Sequence, residues 1–153
     1  AKFGASDVQD LNWVQLMNAY TCTECGRCTS SCPANQTGKK LSPRKIMMDT
    51  RDRLEEVGKN IDANKGIFVP DNKSLLNDYI TPEELWACTS CNACVEECPV
   101  NISPLSIIMD MRRYLVMEQS AAPMSLNTMM TNIENNGAPW QYSQQDRLNW
   151  KNE

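Results

Sequence analysis

CTECGRCTSSCP, running from Cys22 to Pro33, recurs 66 positions later as CTSCNACVEECP, from Cys88 to Pro99. Both copies read C-x-x-C-x-x-C-x-x-x-C-P, and together they hold all eight cysteines of the 153-residue chain. The first three cysteines of each run stand three residues apart, so one tight loop and one helical turn can direct their sulfurs to a common point. The fourth is set one residue further out and faces elsewhere. A proline follows it, which lacks a backbone N–H and fixes its own φ, so the local helix stops there.

This spacing holds a [4Fe–4S] cluster, and where two such runs occur the fourth cysteine of each serves the other run's cluster. The pattern predicts one cluster on Cys22, Cys25, Cys28 and Cys98, and a second on Cys88, Cys91, Cys94 and Cys32. Zinc explains it poorly. Tetrahedral zinc takes four ligands per ion and gives no reason for a third cysteine at this spacing and a fourth before proline, twice over. A disulfide framework belongs to secreted and usually much shorter chains. Gly26 can take positive φ and let backbone N–H groups approach the sulfurs.

Bulk composition narrows the function. The formal charge is −4, and eight bound thiolates with two oxidised cluster cores bring it to roughly −8. That argues against nucleic acid, which needs a basic surface. The chain has no histidine, which removes imidazole acid–base chemistry and the commonest haem ligand. Thiolates kept for metal point to a reducing compartment, the cytoplasm or the cytoplasmic face of a membrane. No apolar run approaches the length of a bilayer-spanning helix, and no secretory signal peptide is visible. The chain begins at Ala1 rather than Met, compatible with a segment upstream.

In chain order, residues 1–6 read as a frayed start. A helix is expected from about Asp7 or Asp10 to Tyr20, with Leu11, Trp13, Val14, Leu16, Met17 and Tyr20 marking its apolar face. Ser42-Pro43 reads as N-cap and first position of a second helix, running to Val57 with Gly58 beyond its end. Ile46, Thr50, Leu54 and Val57 form its buried stripe, while Arg44, Lys45, Arg51, Asp52, Arg53, Glu55 and Glu56 read as solvated. Residues 60–77 look like a connecting loop. Thr81-Pro82-Glu83-Glu84 is a capping box opening a short helix into Cys88. Ser103-Pro104 opens another, with Ile107, Ile108, Met111 and Leu115 on its inner side. Pro123 opens the last, stopped by Asn135-Asn136-Gly137. The chain is expected to divide into a domain over residues 1–137 and an extended arm over 138–153.

The repeat extends past the cysteines. SPRKIMMDTRDRL, Ser42 to Leu54, lies over SPLSIIMDMRRYL, Ser103 to Leu115, at an offset of 61. The shortfall of five against the cysteine offset is the loop of residues 36–40. Each half is therefore helix, cluster loop, capped helix. The fold class is all-α, with two pseudo-symmetric halves around two [4Fe–4S] clusters. Met47, Met48, Met109 and Met111 read as core and cluster-packing side chains.

A compact bacterial ferredoxin has strands and a short gap between its motifs. Here 55 residues, mostly helical in pattern, separate Cys32 from Cys88. The chain resembles the α-helical ferredoxin domain, as in the C subunit of heterodisulfide reductase and the iron–sulfur domains of its relatives. The resemblance rests on the two cysteine runs, Gly26, Ser42-Pro43-Arg44 and Ser103-Pro104, and covers Leu11 to Tyr114. NIENNGAPW, Asn132 to Trp140, resembles the stretch that follows this domain in larger heterodisulfide-reductase-like membrane proteins. There a cytochrome-b-like membrane domain can precede the ferredoxin and a cysteine-rich CCG domain can follow it. The family's disulfide-reducing chemistry sits in CCG motifs, which this chain lacks, so catalysis is not implied.

What is implied is a relay. Single electrons would pass through two clusters to or from a redox partner or adjoining domain, such as a CCG-type catalytic domain or a cytochrome-b-like membrane domain. The alternative is a structural or redox-sensing iron–sulfur module without turnover. A free-standing oxidoreductase would need an open iron site, and eight cysteines for eight positions leave none evident.

Overall fold

The computed structural model describes residues 2–151. Nine α-helices and two 3-10 segments carry the described chain, whose only extended pairing is an isolated bridge between Leu76 and Ile80. Two compact units divide it, Ala1–Glu118 and Gln119–Glu153.

The first unit contains both cysteine runs. Its elements are α1 (Trp13–Thr21), α2 (Arg27–Ser30), α3 (Pro33–Gln36), α4 (Pro43–Ala63), α5 (Leu75–Asp78), α6 (Pro82–Ala87), α7 (Ala93–Glu96) and α8 (Pro104–Met117). The pseudo-symmetry expected from the repeat is visible in the packing. α1 lies on α4 and α6 on α8; α4 crosses α8, and α2 meets α7. Ile46, Met47 and Val57 from α4 meet Ile107, Ile108, Met111 and Leu115 from α8 in the core.

The caps expected from sequence are present. Ser42 Oγ accepts from Lys45 N–H and Ser103 Oγ from Ser106 N–H, each with proline at the first helical position. Thr81 and Glu84 form the reciprocal box that opens α6. Two further polar groups are cross-linked in a pseudo-symmetric way. Gln15, in the third position of α1, donates to Asp110 on α8 at 2.7 Å. Glu84, in the third position of α6, pairs with Lys45 on α4 at 2.9 Å, and Lys45 also holds Asp49, the repeat counterpart of Asp110.

Several expectations are corrected. The start is anchored rather than frayed. Asp7 and Asp10 cap a 3-10 turn over Val8–Asp10, Ala5 and Val8 are buried, and Ala5 N–H donates to Asp110 O. Gly4 lies so close to α8 that a Cβ would stand 2.2 Å from the Asp110 carbonyl oxygen. The first helix is broken at Leu11–Asn12, because Asn12 and Gln15 form a new capping box. Its inner face is Gln15 and Ala19 with the expected Leu16 packed against the core, and Leu11 before it is buried, whereas Trp13, Val14, Met17 and Tyr20 are exposed. The second helix passes through Gly58 to Ala63. Glycine costs about 1 kcal/mol there, offset by Ile61 packing on the core and by Asn60, which brackets Val69 through its N–H and C=O.

Arg53, read as solvated, is fully buried. It donates three times to Asp7, at 3.0, 3.2 and 2.8 Å, and twice to Asp71, at 2.6 and 3.0 Å, with a sixth bond to Lys73 O. These bonds hold Asp71 down at about 2 and raise Arg53 further. One guanidinium thus ties the N-terminal turn, α4 and the loop before α5. A buried charge is tolerated when geometry and hydrogen bonds are complete, and removing one partner of such a set costs about 3–5 kcal/mol.

In the second unit, α9 (Met124–Asn136) ends at Gly137 in a left-handed cap. The chain beyond is not an extended arm throughout. Gln144–Lys151 coils into 3-10 turns, Asn132 donates to Pro139 O, and Arg147 donates to Gly137 O. The unit boundary falls at 118/119, ahead of the expected 137/138, because the helix over 124–136 belongs with the segment that bonds to its end.

Arg53→Met is expected to destabilise the chain by about 3 kcal/mol, lowering Tm by about 10 °C in far-UV circular dichroism melts. Asp52→Ala, an exposed neighbour on the same helix, should leave Tm within about 2 °C.

Candidate metal centres

Each cysteine run folds by the same sequence of backbone turns. Cys22 and Cys88 end α1 and α6 in extended conformation. Two residues on, Glu24 and Ser90 take left-handed φ of 58° and 57°. Two residues further, Gly26 and Asn92 do so again, at 82° and 62°, and open α2 and α7. Asparagine is the side-chain-bearing residue that best tolerates this region, which is how the second run manages without glycine. Alternating left- and right-handed residues turn successive N–H groups into a concavity of the kind that receives phosphates and iron–sulfur clusters. The helical turns close identically: Ser30 N–H donates to Gly26 O and Glu96 N–H to Asn92 O, while Cys32 N–H reaches Thr29 O and Cys98 N–H reaches Val95 O.

All eight cysteines line two cavities, and no disulfide joins any of them. The first has Cys22, Cys25, Cys28, Cys98 and Cys94 in its wall. The second has Cys88, Cys91, Cys94 and Cys32. Each run thus sends its fourth cysteine to the other's cavity, and Cys94 is common to both walls.

Of the remaining walls, the sequence foresaw only Met47. Arg44, Met47, Ile102 and Pro104 line the first cavity; Leu105, Ile108, Leu41 and Pro43 line the second. Each residue of the first set lies 61 positions from its counterpart in the second, so the internal repeat pairs the two walls. The N-terminal ends of both long helices therefore reach both cavities, presenting the positive ends of their dipoles to whatever anion sits there. Backbone N–H groups already point at sulfur: Ser90 to Cys88 Sγ at 3.4 Å and Ile102 to Cys98 Sγ at 3.3 Å.

Burial pushes the Cys94 thiol up to about 11, and the neighbouring thiols add to it. Burial raises Cys28 as well, against a hydrogen bond from Thr29. Exposed Cys91 is lowered by the Ala93 N–H and by the Thr89 hydroxyl. Thiolates packed this closely need a compensating positive charge, which bound iron supplies when it displaces their protons.

The two runs are latched by equivalent arginines that work differently. Arg112 on α8 donates to Leu85 O at 2.6 Å and to Cys88 O at 2.5 Å, and its guanidinium lies 4.9 Å from the Trp86 ring centroid. It closes the carbonyl end of α6 just where the loop begins. Its counterpart Arg51 instead pairs with the carboxylate of Glu24.

An all-helical fold whose two cysteine runs line two cavities, each run sending its fourth cysteine to the other's, is the frame of an iron–sulfur protein. A family profile described as "4Fe-4S dicluster domain" matches residues 21–102, more than half of the chain, and the chain belongs to that family. Its relatives bear out the resemblance to the C subunit of heterodisulfide reductase. It is 33% identical to the C subunit of the ferredoxin/F(420)H(2)-dependent CoB-CoM heterodisulfide reductase of Methanosarcina acetivorans, over 70% of this chain and 52% of that one. It is 36% identical to "Probable iron-sulfur-binding oxidoreductase FadF" of Bacillus subtilis, over 99% of this chain and 25% of the relative. It is 34% identical to "EtfAB:quinone oxidoreductase" of Syntrophomonas wolfei, over 99% of this chain and 24% of the relative. The chain spans about a quarter of the length of these last two. It is an iron–sulfur protein that carries 4Fe–4S clusters and serves electron transfer.

Arg112→Met should uncap the Leu85 and Cys88 carbonyls. Under an anaerobic iron chelator, about half of the iron is then expected to leave several-fold faster than in the wild type, the other half keeping its rate. Uniform release of all the iron would contradict the latch.

Proposed function

We propose that this chain is an electron-transfer module with one [4Fe–4S] cluster on Cys22, Cys25, Cys28 and Cys98 and a second on Cys88, Cys91, Cys94 and Cys32. The observation that carries this reading is the pair of cysteine-lined cavities that exchange their fourth sulfur and share Cys94 as a wall. Sites with a common wall are close enough for an electron to pass without a mobile carrier between them. Each cluster, when bound, takes up and releases one electron. The chain's own residues supply the rest. The eight cysteines hold the irons, the loop N–H groups accept part of the charge on sulfur, and the surrounding Leu41, Met47, Ile102 and Ile108 keep water away.

The partner is a redox protein or an adjoining domain of the same polypeptide. The relatives' names include a quinone oxidoreductase and a heterodisulfide reductase. We therefore take the relay to run between a membrane-linked donor or acceptor, such as a cytochrome-b-like domain or quinone site, and a catalytic domain of the CCG type. Among the described residues no helix is long and apolar enough to cross a membrane. Cysteines kept for metal rather than for disulfides belong in a reducing compartment, so the module works in the cytoplasm or at the cytoplasmic face of a membrane.

The exchanged ligation has a direct test in paired substitutions. Cys25→Ser with Cys98→Ser strikes one site twice and should leave about four irons per chain. Cys25→Ser with Cys32→Ser strikes both sites and should leave close to none. Equal iron contents in the two double variants would contradict the exchange.

Reduction with dithionite should generate two magnetically interacting one-electron centres by electron paramagnetic resonance. A fully loaded protein that cannot be reduced at any accessible potential would instead favour a structural module.

A further inference from the structure

The two cavities are copies of each other, which makes their differences informative. At the equivalent wall positions, 61 residues apart, the first cavity has Arg44 and the second has Leu105. The Arg44 backbone is held beside the first run, and its exposed side chain lies along the cavity wall. Its backbone N–H donates to Thr29 Oγ1 at 3.2 Å, and Thr29 Oγ1 is bonded to Ser42 Oγ at 2.8 Å. This pins the first turn of α4 to the first cysteine run. The counterpart of Thr29 is Val95, which has no hydroxyl. The guanidinium reaches back over the loop, its Nη1 lying 3.7 Å from where a Cβ on Gly26 would stand. Arg44 takes no part in the ion pairs among the described residues, so its charge is not cancelled locally.

Of the other charged residues within the runs, Arg27, Glu96 and Glu97 line neither cavity. Glu24 also lines the first cavity, but Arg51 neutralises it. Near the second run, Arg112 is turned toward the Leu85 and Cys88 carbonyls and the Trp86 ring, and it does not line the cavity. Among the described residues no charged side chain lines the second cavity, whose non-cysteine wall is Leu41, Pro43, Leu105, Ile108, Thr89 and Asn92. Reduction adds one negative charge to a group that is already anionic. A fixed cation beside it favours the reduced form, and an apolar wall disfavours it.

We propose that Arg44 ranks the two centres, making the one on Cys22, Cys25, Cys28 and Cys98 the more easily reduced. An electron delivered by a one-electron donor to the second centre then runs downhill to the first. In that step one centre is oxidised by one electron and the other reduced by one, with no bond or proton exchanged. This rests on the two-cluster reading above.

The test is an anaerobic potentiometric titration followed by electron paramagnetic resonance, with iron counted in each sample. The wild type should titrate in two one-electron steps, the upper of which is absent from Cys98→Ala. Arg44→Leu, which copies the other half of the repeat, should lower the upper step by about tenfold in the reduction equilibrium, or about 59 mV for a one-electron couple, and leave the lower step in place. Arg44→Lys should keep the upper step near its wild-type value. Leu105→Arg should raise the lower step. The inference is overturned if Arg44→Leu leaves the upper step unmoved, moves both steps equally, or moves the lower step alone. A wild-type protein with far fewer than about eight irons per chain would overturn the two-cluster reading beneath it, an outcome the iron count separates from the others.

Discussion

The exchange of the fourth cysteine is the constraint on which the rest of the fold depends. Cys32 must leave the loop that made it and arrive in the wall of the second cavity, and Cys98 must make the reverse journey. Neither half can complete a cavity alone. The helices must therefore bring the two loops face to face, and α2 against α7 with α4 across α8 is the arrangement that does so. In the first run the helical turn ends at Ser30, and the proline after the fourth cysteine, Pro33, opens α3 and leads the chain away from the loop. The following Ser-Pro caps then start α4 and α8 with their N-terminal ends at the cavities, where positive dipole ends suit an anionic group.

This arrangement wraps the hydrophobic core around two cysteine-lined cavities, and metal bound by a folded site contributes directly to folding. The polypeptide adds hydrogen-bonded anchors at a distance from the cavities. Arg53 gathers Asp7 from the N-terminal turn and Asp71 and Lys73 O from the loop before α5, while Gln15–Asp110 and Glu84–Lys45 tie each half to the other's long helix. These links keep the loops in register, so the electronic differences between the centres can reside in a few wall residues such as Arg44 and Leu105.

The sequence was most legible where local chemistry decides the outcome. The three Ser-Pro or Thr-Pro caps, the apolar face of α8 and the Gly137 stop all follow from short-range rules, and all stand as read. It was least legible where a residue's role depends on something far away in the chain. Arg53 sits in a run of charges that looks solvated; its partners are 46 and 18 residues distant, and nothing in the run announces them. The α1 face was misassigned because apolar residues surround most of that helix. Periodicity could not choose Gln15 and Ala19 over Trp13 and Met17, since the inner side is fixed by Asp110 and α4. The ordered N-terminal turn escaped notice because its capping box spans polar residues that read as a tail. The offset of 61 pairs the wall residues with one another, but pairing does not say which side of each helix start meets a cavity.

Anomalous diffraction at the iron edge from anaerobically grown crystals of the loaded protein would test the central claim most directly. The account requires two separate groups of four irons. One should be bounded by Cys22, Cys25, Cys28 and Cys98, and the other by Cys88, Cys91, Cys94 and Cys32. Two groups each enclosed by the four cysteines of a single run, or isolated metal ions in place of the groups, would contradict it.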